Sequence, residues 1–67
     1  MDPDTCYLKI YESMRDGDLI TGREHALALK EWLDKGGFFP KRYSREEVTA
    51  YLAHVLRRTA RIPEDNP

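Results

Sequence analysis

Apolar residues recur at spacings of three and four in three stretches of the chain, each bounded by glycine or proline. Cys6, Tyr7, Ile10, Tyr11 and Met14 form the first stripe. Ala26, Leu29, Trp32 and Leu33 form the second, with His25 and Ala28 beside them. Val48, Tyr51, Leu52, Val55, Leu56 and Thr59 form the third, which Ile62 extends. Such spacing puts each set on one side of an α-helix. Leu27 falls on the opposite, charged side of the second helix, among Arg23, Lys30 and Asp34.

Capping chemistry sets the boundaries. Asp2 before Pro3 reads as an N-cap followed by proline at the first helical position. Gly17, within Asp16-Gly17-Asp18, suits the left-handed residue that ends a helix. Thr21-Gly22-Arg23-Glu24 and Ser44-Arg45-Glu46-Glu47 both fit the reciprocal pattern of hydroxyl and carboxylate caps, and Tyr43 is placed to staple onto Val48. Gly36-Gly37 closes the second helix and Pro63 the third. The predicted helices span roughly 3–15, 22–35 and 45–61. A competing reading takes residues 6–11 as a short strand, because Cys6, Leu8 and Ile10 alternate with Tyr7, Lys9 and Tyr11. Helix is preferred, since no strand partner follows and a lone strand leaves its backbone unpaired. The expected fold is all-α: a small three-helix domain over residues 1–62 with a disordered tail at 63–67.

Composition narrows the function classes. A chain of 67 residues has room for one core and little wall for a deep substrate pocket. Its 34% charged residues are unevenly placed: residues 1–34 carry eight acids against four bases, and residues 35–61 seven bases against two acids. The core predicted from the stripes is Ile10, Met14, Leu29, Trp32, Leu33, Val48, Leu52, Val55 and Leu56. No apolar run reaches the ~18 residues of a membrane span, and the acidic start lacks the pattern of a secretory signal. A cytoplasmic location and no membrane partner are therefore expected.

Catalytic chemistry finds little support. The single cysteine, Cys6, sits on an apolar stripe, where a buried inert thiol is the ordinary outcome. His25 and His54 lie far apart in sequence, and nothing marks either as base to a nucleophile. The spacing of structural zinc is absent, Asp16-Gly17-Asp18 is only a fragment of a calcium loop, and Gly36-Gly37 follows a helix rather than opening one. No enzyme activity, metal or cofactor is expected. The expected surface of recognition is Phe38, Phe39, Lys41, Arg42 and Tyr43 in the loop before the third helix, together with Arg57, Arg58 and Arg61 at its end. Aromatic and arginine side chains dominate binding hot spots. A partner protein, or a second copy of the chain, is the leading expectation. A small nucleic-acid-binding or regulatory domain using the basic second half is the alternative, opposed by Glu46 and Glu47 at the start of the third helix.

Overall fold

The computed structural model describes residues 2–61 and contains three helices: α1 (Pro3–Arg15), α2 (Leu19–Asp34) and α3 (Arg45–Arg58). The strand alternative for residues 6–11 fails, since all six lie inside α1. Asp2 caps α1, its carboxylate accepting from the amides of Asp4 and Thr5 and from the Thr5 hydroxyl. At the far end, Gly17 takes φ +81°. Its amide donates to Met14 O (3.2 Å), and the Asp18 amide donates to Ser13 O (2.8 Å), the paired closure of a Schellman turn. Gly36 at φ +95° ends α2 in the same way, with Gly36 N donating to Leu33 O and Gly37 N to Trp32 O.

Two boundaries differ from the sequence expectation. α2 begins at Leu19 rather than near residue 22, because Asp18 is its N-cap and accepts from Thr21 N (3.2 Å). The turn closing α1 already holds Asp18 in place, so the cap assigned to Thr21 and Glu24 falls inside the helix. α3 ends at Arg58 rather than running to residue 61. The Thr59 hydroxyl bonds back to Val55 O (2.9 Å), while the Arg23 guanidinium crosses from α2 to donate to Leu56 O (3.3 Å) and Thr59 Oγ1 (3.1 Å). Final carbonyls satisfied from the side need no further helical turn. Ser44 caps α3, accepting from Glu47 N (3.0 Å), which is the hydroxyl half of the expected reciprocal pattern; the carboxylate half, from Ser44 N to Glu47, is not formed among the described residues. The expected extension through Ile62, the stop at Pro63 and the tail at 63–67 lie outside the described residues.

Both outer helices lean on α2 and scarcely meet each other. The core comprises Cys6, Tyr7, Ile10, Ala26, Leu29, Val48, Leu52 and Val55, with Thr59, Pro3 and Pro40 also enclosed. Met14, Trp32, Leu33 and Leu56, expected in that core, are half-buried at its margin. Small side chains at Cys6 and Ala26 are enclosed in the same core as the larger Tyr7, Ile10 and Leu29.

Candidate interaction site

All four tyrosines of the chain, Tyr7, Tyr11, Tyr43 and Tyr51, line one groove between α1 and α3. The groove encloses about 620 Å3, and Leu8, Glu47 and Ala50 complete its lining. Residues 7, 8 and 11 share one face of α1, and 47, 50 and 51 share one face of α3, by helical spacing. The wedge stays open because the backbones of α1 and α3 stand apart and meet through tyrosine rings. Tyr7 forms the floor at 6% exposure. Its ring centroid lies 4.4 Å from Tyr43 and 5.3 Å from Tyr51, the latter edge-on; Tyr11 stands 6.4 Å beyond Tyr51. The edge-on Tyr7–Tyr51 pair suits the ring quadrupoles.

Tyr43 comes from the long connection between α2 and α3, and a distant carboxylate holds that connection in place. Asp4, in the first turn of α1, accepts from the backbone amides of Lys41 (3.1 Å) and Arg42 (3.2 Å). Trp32 anchors the other end, its indole N–H donating to Phe38 O (3.0 Å). Burial of Pro40 completes the attachment.

Burial, then the negative charges of the Glu47 carboxylate and of the ionised Tyr51 and Tyr43 hydroxyls, push the Tyr7 hydroxyl up to about 12. Burial also raises Tyr51, with Tyr11 adding to the shift. A phenol kept neutral in the fold but ionising near 10 when unfolded stabilises the native state fully below pH 10. That contribution is lost as pH rises from 10 through about 12. Urea midpoints measured across this window should fall in the wild type, and fall less steeply in Tyr7→Phe. Parallel curves for the two proteins would refute the assignment to Tyr7.

The residues expected to form a recognition surface are dispersed. Phe38 is 56% exposed, standing edge-on to Trp32 with the Lys41 ammonium 5.9 Å above its ring. Phe39 is half-buried on the α2 side, with the Arg45 guanidinium 4.8 Å from its centroid. Arg42 borders a polar depression with Asp2 and Asp4, next to Tyr43. Arg57 and Arg58 are exposed in the last turn of α3, and Arg61 is exposed in the turn beyond it. Arg45 opens the same helix, so the two basic groups stand about 20 Å apart along its axis. Only Tyr43 of the expected residues reaches the groove. The other three tyrosines are signalled by the i, i+4 pair Tyr7 and Tyr11 and by Tyr51 on the third stripe, where the sequence reading makes them stripe positions and assigns them neither to the core nor to a site.

Cys6, the one thiol, is buried; its S–H donates to the backbone oxygen of His25 (3.4 Å), and burial raises its pKa. Among the described residues no helix is long and apolar enough to cross a membrane. No known protein family matches the chain, and neither curated proteins nor solved structures give a significant match.

Proposed function

We propose that this domain is a non-enzymatic protein-interaction module that receives its partner in the tyrosine groove. The observation that carries the reading is the gathering of every tyrosine of the chain around one open, largely apolar wedge. Tyrosine brings large contact area at low conformational cost, and interface hot spots favour it. Separation of the basic groups along α3, with Glu46 and Glu47 in its first turn, counts against the nucleic-acid alternative. A cytoplasmic setting, where a lone thiol stays reduced, belongs to the same reading.

Filling the groove tests it. Ala50 is exposed on the groove wall, so Ala50→Trp should block the site while leaving the melting temperature close to wild type. A partner retained by immobilised wild-type protein and by Phe38→Ser should drop at least about tenfold on Ala50→Trp, the scale of one lost hot spot. Equal retention by Ala50→Trp would overturn the groove as the docking site. In parallel, a fluorescence titration with mixed oligonucleotides near physiological salt should stay flat; submicromolar, salt-sensitive binding lost in an Arg57/Arg58/Arg61 triple-alanine variant would install the nucleic-acid alternative instead.

A further inference from the structure

Resting on the groove as a docking site, we propose that its occupant is a cationic side chain, arginine or lysine, presented by a basic segment of a partner protein. Of the four tyrosines lining the wedge, Tyr11 is 54% exposed and Tyr43 and Tyr51 are half-buried over the buried Tyr7, and the electronegative face of an accessible ring attracts a cation. Glu47 is the one charged residue of the lining and is exposed. Its carboxylate joins none of the ion pairs among the described residues. The groove therefore offers a negative carboxylate and aromatic faces together, while Leu8 and Ala50 supply apolar surface for the methylene stem of a long basic residue.

The chain's own nearby cations are already placed elsewhere. Lys41 and Arg45 each lie over a phenylalanine, turned toward the loop and the α2 side. Arg42 lies at the neighbouring depression, which it lines together with Asp2 and Asp4. At about 620 Å3 the groove falls in the range of about 300–1,000 Å3 typical of ligand pockets, enough for a side chain with its flanking backbone.

The charge of the occupant can be tested apart from the docking site. The probe is an acetylated, amidated pentapeptide of alternating glycine and arginine, titrated into isotopically labelled protein and followed by amide shifts. Its counterpart carries citrulline, which has nearly the shape of arginine without the charge. The arginine peptide should shift amides within residues 7–11 and 43–51, and the citrulline peptide should bind at least about fivefold more weakly. Glu47→Gln keeps shape and helix start but removes the charge, and Tyr11→Leu removes a ring at a 54% exposed position. Each should weaken arginine binding about three- to tenfold, whereas Tyr11→Phe should stay within about twofold.

Equal binding of the two peptides, or an unchanged affinity in Glu47→Gln, would overturn the cation proposal. If that binding still vanished in Ala50→Trp, the groove would survive as a docking site for a neutral occupant. Shifts confined to residues outside the groove, or none with either peptide at millimolar concentration, would overturn the proposal. Groove shifts that grow with protein concentration alone, with the sedimenting mass doubling, would replace the separate partner with a second copy.

Discussion

Leu29→Ala is expected to lower stability by about 2–5 kcal/mol, the range for truncating a fully buried leucine. Leu29 is 0% exposed on α2, the helix against which both others rest. Its removal deletes apolar contacts and leaves a cavity that the neighbouring core residues, Ile10 and Val55 among them, close only in part. A domain this small has a total stability near the low end of the usual ~5–15 kcal/mol, so the variant should be at or near the threshold of folding. Leu27→Ala makes the same chemical change two residues away, at 37% exposure, and should cost under about 1 kcal/mol. Urea titrations of both give the comparison: a large drop in midpoint for Leu29→Ala with an unchanged slope, and a small one for Leu27→Ala. Similar midpoints would mean that the α2 face is misassigned.

Gly37→Ala should be the second most damaging change, at about 1–3 kcal/mol for overpacking plus about 1 kcal/mol for a lost hydrogen bond. A methyl group at Gly37 would run into the indole of Trp32. That ring cannot turn aside freely, because its N–H is bonded to Phe38 O and it packs nearly perpendicular to the Phe38 ring. Gly36→Ala tests a different requirement. Nothing lies within 4 Å of its new methyl, but φ is +95°, so the cost is backbone strain of about 1 kcal/mol. Trp32 is the only tryptophan, and its emission separates the two: shifted in folded Gly37→Ala, unchanged in Gly36→Ala. An unshifted spectrum with near-wild-type stability in Gly37→Ala would refute the close approach.

Features decided within a few consecutive residues were legible in the sequence. Asp2-Pro3, Gly17, Gly36 and the Ser44–Glu47 cap depend on short-range chemistry, and each lies where its pattern indicated. Two cap signals in one stretch, Asp18 and Thr21, could not be ranked locally; the turn ending α1 decides in favour of Asp18. The stripes identified Ile10, Leu29, Val48, Leu52 and Val55 as core, but periodicity does not say how closely two helices approach. Tyr7 and Ala26 are thus buried while Trp32 and Leu33 remain at the margin. The groove was the least legible, since it joins three segments that only the docking of α3 brings together. Asp4 carried no sign that it would hold amides 37 and 38 positions away.

Asp18 finishes one helix and starts the next, so the whole reversal between α1 and α2 is written in three consecutive residues. In kinetic terms this hairpin is a short-range object, and closing so short a connection costs little chain entropy. α3 and the connection before it are held by partners far along the chain: Arg23 reaches Leu56 and Thr59 across 33 and 36 positions, and Asp4 reaches Lys41 and Arg42 across 37 and 38. The conformational search is thus divided into a local hairpin and one long-range closure. Proteins dominated by local contacts of the first kind fold fastest, and by that rule the slower step is expected to be the one that assembles the groove.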